Sequence, residues 1–248
     1  MKMQTFTADL VCVLASFGLA SSAFAQATFP KANQEYAAGH FKEAIDTYEQ
    51  LARSGEYSAN LFYDLGNAYF HSGDRGRAIL NYERALALDR HHPEAQANLR
   101  IARDETRALE LTPMGAERFA RLADSNQYAI AGAAAFWIGV FSFAGWIFSR
   151  RRPSRALALS ILSLAMVASA VAAIFLVENG NNGRALAVVT SSDVEARLAT
   201  ADNARSVLAL PAGSEIKILS KRGDWIFAAL PNDLRGWIPA KSAEQVRL

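Results

Sequence analysis

The sequence predicts a multidomain membrane protein with three parts: all-α helical repeats, a two-helix transmembrane hairpin and a small all-β barrel. Three observations lead to this prediction. Two uncharged apolar stretches of about 22 residues lie in the middle of the chain, which is long enough for each to cross a bilayer. A segment that repeats with a period of about 34 residues precedes them, and short runs rich in β-branched and aromatic residues follow them.

Residues 1–25 are predicted to be a secretory signal peptide. Lys2 provides a positive start, residues 10–20 form an apolar run, and the small-x-small sequence that ends at Ala25 is a cleavage site. The alternative is an uncleaved anchor helix, and in both cases the following segment is exported. Cleavage would also remove Cys12, the single cysteine, so that the mature chain would contain no disulfide.

Residues 26–110 are predicted to form helical repeats that end in a capping helix. Three positions recur with the same spacing: Gly39 as Gly73, Ala44 as Ala78, and Tyr48 as Tyr82. This pattern resembles the tetratricopeptide repeat, and the second copy, which contains Leu65, Gly66 and Tyr69, matches the family pattern more closely than the first. Small Gly66 and Ala78 would let the two helices of that repeat approach closely, and Pro93 would begin the capping helix.

The resemblance implies a concave groove that is lined by the first helix of each repeat and binds a protein partner. The alternative is that these positions are ordinary solvated or half-buried residues. The set has no pairs of lysine and arginine to clamp a peptide carboxylate. The candidate groove residues are Asn33, Tyr36, Asn60, Tyr63, Asp64, Asn67, Phe70 and His71.

The hairpin is predicted to consist of transmembrane helices 127–149 and 156–177, joined by the arginine-rich loop 150–155. Short loops rich in lysine and arginine stay in the cytoplasm, so both soluble domains would lie on the external side. Residues 111–126 form a linker that could contain an amphipathic helix at the membrane surface, with Phe119 and Leu122 inward and Arg118 and Arg121 toward headgroups. Residues 178–183 form a second linker.

Residues 184–248 are predicted to form a small barrel of short strands separated by turns. A Gly-Asp-Trp sequence that opens one strand and a later Gly-Trp-Ile-Pro sequence resemble a bacterial SH3-like domain. The tyrosines of a proline-recognition groove are missing, which argues against proline-rich ligands. Trp225 and Trp237 are candidate surface residues for a partner or for peptidoglycan, and the alternative is that they belong to the core or its rim.

Catalytic and metal-binding motifs are missing from the sequence. We find no nucleophile elbow, no zinc-protease motif and no phosphate loop. The adjacent His91 and His92 lack a third ligand nearby in sequence. The net charge of +2 and the lack of a basic face with interleaved aromatics argue against nucleic acid. We therefore expect a non-enzymatic protein without cofactors.

The order of these modules resembles the BatE-type proteins of aerotolerance-associated operons. The resemblance implies a multi-pass protein of the bacterial inner membrane with both soluble domains in the periplasm. It also implies partners, namely membrane proteins with von Willebrand factor A domains and a MoxR-type AAA+ ATPase. The expected function is a non-catalytic scaffold in a stress-associated membrane complex. The alternative is a wall-binding or wall-sensing protein that acts through the SH3-like domain.

Overall fold

The described chain is helical up to Asn179 and then forms mainly β-strands. The structure is a computed structural model that describes residues 29–113, 115–120, 122–150, 154–181 and 183–248. The predicted signal peptide (residues 1–25) and Arg121, Arg151 and Arg152 lie outside these residues. The described residues form eight α-helices, namely α1 (residues 29–37), α2 (Phe41–Arg53), α3 (Ala59–Ser72), α4 (Arg75–Leu88), α5 (Pro93–Thr106), α6 (Gly115–Ala120), α7 (Ser125–Phe148) and α8 (Ser154–Asn179).

Local signals in the sequence set the ends of the repeat helices. The Ser58 hydroxyl caps α3 by accepting from the Leu61 N–H at 3.1 Å, and the Asp74 carboxylate caps α4 in the same way. Gly73 ends α3 with φ of 92°, a left-handed conformation that glycine adopts at low cost. Pro93 occupies the start of α5, as predicted.

Close packing of α3 and α4 depends on the small residues that the repeat pattern supplies. A methyl group added at Gly66 would lie 2.7 Å from ring carbons of Tyr82. Ala78 is completely buried in the same contact. The predicted role of these two residues in the helix crossing is therefore confirmed.

Helices α7 and α8 are long and apolar enough to cross a membrane by length and composition, and most of their surface is exposed. Their bounds extend the predicted spans by two residues at three of the four ends. Gly132 lies against Ala170 and Gly139 lies against Ser163, where added methyl groups would come within 3.2 and 3.1 Å of the opposite Cβ atoms. These small residues therefore join the two helices into a hairpin.

The C-terminal region is a seven-stranded antiparallel sheet in the order β3-β2-β6-β5-β4-β1-β7. This order leaves β3 and β7 at the edges, so the sheet is not closed and the expected SH3-like barrel is not confirmed. The strands are β1 (Leu186–Val189), β2 (Val194–Arg197), β3 (Ser206–Leu210), β4 (Glu215–Arg222), β5 (Trp225–Ala229), β6 (Arg235–Pro239) and β7 (Ala243–Gln245).

The sheet packs directly against the helical repeats. All four residues of β1 are buried: Leu186 and Val188 belong to the core of the helical repeats, whereas Ala187 and Val189 belong to the core of the sheet. On the helical side, Ile79 and Leu80 of α4 are almost completely buried. The sheet thus covers an apolar surface that two repeats alone would leave in water.

An ion-pair network and the segment after α5 reinforce this packing. Glu215 is 2% exposed and its carboxylate contacts the Arg103 guanidinium, which also pairs with Glu83 at 2.6 Å. The Leu111 N–H donates to the Glu215 carboxylate at 2.9 Å, and the Glu215 N–H donates to the Leu109 carbonyl at 2.8 Å. These buried polar groups of Glu215 are thereby tied to the helical side.

The two long helices contact the sheet region where α7 begins and α8 ends. Glu178 near the end of α8 accepts from the Ser125 hydroxyl at 2.8 Å and pairs with Arg184 at 2.6 Å and Arg247 at 3.2 Å. These contacts link the start of α7, the end of α8 and the C-terminal part of the sheet domain.

The predicted amphipathic segment contains the short helix α6. Phe119 and Leu122, which were predicted to point into the membrane, are 72% and 82% exposed. Arg118 is exposed as well. The membrane location of this segment stays a prediction.

Candidate functional site

Several of the predicted groove residues lie where side chains of α1, α3 and α5 meet. The rings of Tyr36 on α1 and His71 on α3 lie 5.8 Å apart, and Asn98 on α5 hydrogen-bonds to Asn67 on α3. Three of the eight predicted residues are exposed (Asn33, Asn60 and His71), and five are half-buried (Tyr36, Tyr63, Asp64, Asn67 and Phe70).

A tyrosine–asparagine hydrogen bond occurs in both repeats. The Tyr48 hydroxyl donates to Asn33 Oδ1 at 2.5 Å, and the Tyr82 hydroxyl donates to Asn67 Oδ1 at 2.8 Å. Both members of the second pair follow those of the first by one repeat. Each bond fixes the amide orientation with its carbonyl oxygen toward the tyrosine, so that the NH2 group remains as a donor for a ligand.

A third polar residue completes each pair, again with the repeat spacing. Asn98 Nδ2 donates to Asn67 Oδ1 at 2.8 Å, and the residue one repeat earlier is Asp64, whose charge acts on Tyr48. We call Asn33, Tyr48 and Asp64 the first polar cluster. We call Asn67, Tyr82 and Asn98 the second polar cluster.

Burial shifts the acid–base behaviour of both clusters. It raises the pKa of the Asp64 carboxyl from 3.8 to about 6, an effect that nearby His92 partly opposes. Burial also raises the pKa of Tyr48 and of Tyr82 above its ordinary value of 10. Both phenols therefore keep their protons at neutral pH and can donate to the asparagines.

Aromatic rings flank the polar clusters. The rings of Phe41 and His71 stack with centroids 5.0 Å apart, and the Arg75 guanidinium lies 3.9 Å from the centroid of Phe70. The Arg75 side chain also pairs with Glu105 at 2.6 Å. The predicted groove thus combines aromatic ring faces with neutral amide groups, and the Arg75 guanidinium beside it is already paired with Glu105.

A small pocket opens within the groove around the second polar cluster. It has a volume of about 150 Å³ and is lined by Asn67, Phe70, His71, Tyr82, Asn98 and Ile101. Sequence reasoning missed Asn98 and Ile101 because it assigned α5 only a capping role. The repeat spacing between Asp64 and Asn98 was the signal that could have found the asparagine.

The outer face of the sheet forms a second surface. Trp225, Phe227 and Trp237 are half-buried on the face opposite to Ile226 and Ile238. The rings of Phe227 and Trp237 lie 5.0 Å apart across neighbouring strands. The sequence prediction included both tryptophans and missed Phe227, which the alternation of buried and exposed positions places beside them.

Metal-binding geometry is missing from the described part of the chain. No group of three or more histidine, cysteine, aspartate or glutamate side chains there could hold a metal ion. His92 instead accepts from the Ala95 N–H at 3.3 Å and caps α5. His40 lies 2.9 Å from Glu35, and His91 is exposed.

Comparison with known families identifies the helix pair formed by α3 and α4. A tetratricopeptide repeat model matches residues 59–92, which comprise α3, α4 and the turn that follows. No curated protein matches the chain. The match shows one tetratricopeptide repeat within the helical region α1 to α5, and repeats of this class typically mediate contacts between proteins.

Proposed function

We propose that the chain is a non-catalytic scaffold of the bacterial cell envelope. In this proposal α7 and α8 anchor it in the inner membrane, and the groove holds an extended segment of a partner protein on the periplasmic side. The repeated tyrosine–asparagine hydrogen bond carries the proposal, because it orients Asn33 and Asn67 in the same way in two successive repeats.

The chemistry of the groove favours an extended peptide. The NH2 groups of Asn33 and Asn67 donate no hydrogen bond to another described residue, and peptide carbonyls are their natural acceptors. Tyr36 and Phe70 offer ring surface for the side chains between those carbonyls. None of the eight predicted residues is a lysine or arginine, which argues against a terminal carboxylate as the main anchor.

The orientation in the membrane rests on the arginines of residues 150–155. A reporter that is active only outside the cytoplasm, fused after Leu248, should be active. A reporter that is active only in the cytoplasm, inserted in the 150–155 loop, should be active too. The reverse pattern would contradict the proposed topology.

The resemblance to BatE-type proteins supports specific partners for the scaffold. These are membrane proteins with von Willebrand factor A domains and a MoxR-type AAA+ ATPase. Cross-linked affinity purification of the tagged full chain from native membranes, followed by mass spectrometry, would identify what it binds.

Variants of the groove make that purification a test of the proposal. The double variant Tyr48→Phe, Tyr82→Phe removes only the two hydroxyls that orient the asparagines. We expect recovery of the cross-linked partner to fall about tenfold, the usual effect of losing one or two well-placed hydrogen bonds. Tyr57→Phe is the matched control, because Tyr57 is 51% exposed and lies outside the groove. Equal recovery with the wild type, the double variant and Tyr57→Phe would contradict groove binding.

The outer face of the sheet supports a second candidate function, binding or sensing of the cell wall. Aromatic rings stack on the apolar faces of sugars, and the Arg222 guanidinium lies 5.9 Å from the Trp237 ring centroid beside Phe227. Co-sedimentation of the full chain with purified peptidoglycan would test this function. The variant Trp225→Ala should reduce the amount that sediments, and Leu219→Ala, a change at an exposed position, is the control. The full chain is required because the isolated sheet would expose Leu186 and Val188.

A further inference from the structure

The pocket around the second polar cluster is shaped to hold one side chain of a bound segment. Its volume of about 150 Å³ is sufficient for a group the size of benzene. Phe70 and Ile101 provide apolar walls, and Asn67 and Asn98 provide amide groups. Ile101 is 50% exposed, so its side chain is accessible from this pocket.

The hydrogen bonds inside the cluster determine which polar atoms remain. Asn67 Oδ1 accepts from both the Tyr82 hydroxyl and Asn98 Nδ2, each at 2.8 Å, which uses both of its lone pairs. Asn98 Nδ2 also lies 3.5 Å from the Tyr63 hydroxyl. In the described structure this leaves Asn67 Nδ2 as a donor and Asn98 Oδ1 as an acceptor, on two residues that hydrogen-bond to each other.

We propose that this pocket binds the carboxamide of a glutamine or asparagine side chain in the partner segment. This inference rests on the proposed groove function and adds a sequence preference to it. A carboxamide presents one acceptor and one donor side by side, which matches Asn67 Nδ2 and Asn98 Oδ1.

Other side chains would leave one or both of these groups unpaired. A carboxylate has no hydrogen to donate to Asn98 Oδ1, and an ammonium group has no acceptor for Asn67 Nδ2. An apolar side chain would bury both groups without partners, which costs affinity. A backbone amide presents the same chemistry, and Asn67 Nδ2 carries two hydrogens, so it can donate one to a backbone carbonyl of the bound segment and the other to the side-chain carboxamide.

The first polar cluster does not share this preference because Asp64 occupies the position of Asn98. Its carboxylate accepts hydrogen bonds without donating any, so it suits amide and cationic donors alike. The two clusters therefore differ in selectivity, and the second would fix the register in which a segment lies along the groove.

Selection of random peptides tests the inference directly. A phage-displayed library of random heptapeptides would be selected for binding to the full chain in lipid nanodiscs. The recovered peptides would be sequenced and compared with those recovered on empty nanodiscs. We expect glutamine or asparagine to be enriched about tenfold at one fixed position. The variant Asn98→Asp, which replaces the amide by a carboxylate, should remove this enrichment. Gln96→Glu makes the same chemical change at an exposed position of α5 outside the pocket, so it should retain the enrichment.

A second measurement uses only the wild-type chain, so its result does not depend on how the variant folds. N-acetyl-glutamine N-methylamide should displace a selected peptide more strongly than N-acetyl-glutamate N-methylamide does, since only the first of the two carries a primary carboxamide. Enrichment of peptides without a carboxamide preference would overturn the inference and leave the groove function intact. A lack of enrichment over empty nanodiscs would overturn the inference and contradict the groove function as well.

Discussion

Replacing Asp64 by asparagine tests the electrostatics of the groove in a single step. The change converts the first polar cluster into a copy of the second, because Asn98 is the residue that follows Asp64 by one repeat. Asparagine has nearly the same shape as aspartic acid and cannot ionise. The variant therefore removes a carboxylate that burial holds in its protonated form up to a pKa of about 6.

The sign and size of the effect follow from this shift. Because the folded state raises the pKa of Asp64, the protonated carboxyl stabilises the fold at low pH, and this contribution disappears as pH rises through about 6. The rise from 3.8 to about 6 corresponds to at most about 3 kcal/mol. Since Asp64 is only partly buried, water screens the carboxylate, and we expect about 1 kcal/mol.

The assay is urea denaturation of the detergent-solubilised full chain between pH 4 and pH 8, followed by circular dichroism. Wild type and Asp64→Asn should have similar stability near pH 4, and the variant should become more stable by about 1 kcal/mol above pH 7. The other ionisable groups that act on this region, His92, Tyr36 and Tyr48, are the same in both proteins. Asp46→Asn, an exposed position on α2, is the control. A difference that is constant with pH would refute the reasoning.

Two further predictions concern the contact between the helical repeats and the sheet. Arg103→Met removes the guanidinium that Glu215 contacts inside this interface and should cost about 3 kcal/mol in unfolding free energy, whereas the exposed Arg100→Met should have little effect. Gly213→Ala should lower stability more than Gly223→Ala in the same denaturation assay, because both glycines have positive φ but only Gly213 faces α4. Gly223→Ala should cost only the backbone strain of about 1 kcal/mol, because no atom of the described residues lies near the added methyl group. Equal losses of stability for the two variants would contradict the packing argument.

Local patterns in the sequence were sufficient to predict the elements of the helical region. The repeat period located α2 to α4, Pro93 marked the start of α5, and the apolar stretches located α7 and α8 to within two residues. These features depend on residues that are close in the chain, such as a cap and its helix, or on composition over one helix length.

The contact between the repeats and the sheet was harder to predict because it joins segments that are far apart in the chain. One local signal existed: β1 is a continuous apolar run rather than an alternating one, which indicates a strand buried on both faces. The closed barrel was expected because short strands separated by turns are typical of it, but strand composition does not specify whether the edges meet. Likewise, the candidate groove residues of α3 came from the repeat pattern, and the same spacing pointed to Asn98, but only the hydrogen bond to Asn67 shows that the two side chains meet.

The sheet contacts both the helical repeats and the two long helices, so in the proposed scaffold it would connect the groove to the hairpin. On one side it packs on α4, whose Tyr82 orients Asn67 in the groove. On the other side Arg247 and Arg184 form ion pairs with Glu178 near the end of α8. In the proposed scaffold, a force on a bound segment would be transmitted through the buried apolar contacts between the helical repeats and the sheet, and then through the ion pairs of Glu178 to α8. Because packed apolar interfaces deform little, a partner in the proposed groove would be held at a fixed position relative to the sheet. The proposed scaffold function requires such a fixed position, and two repeats without the sheet would not provide it.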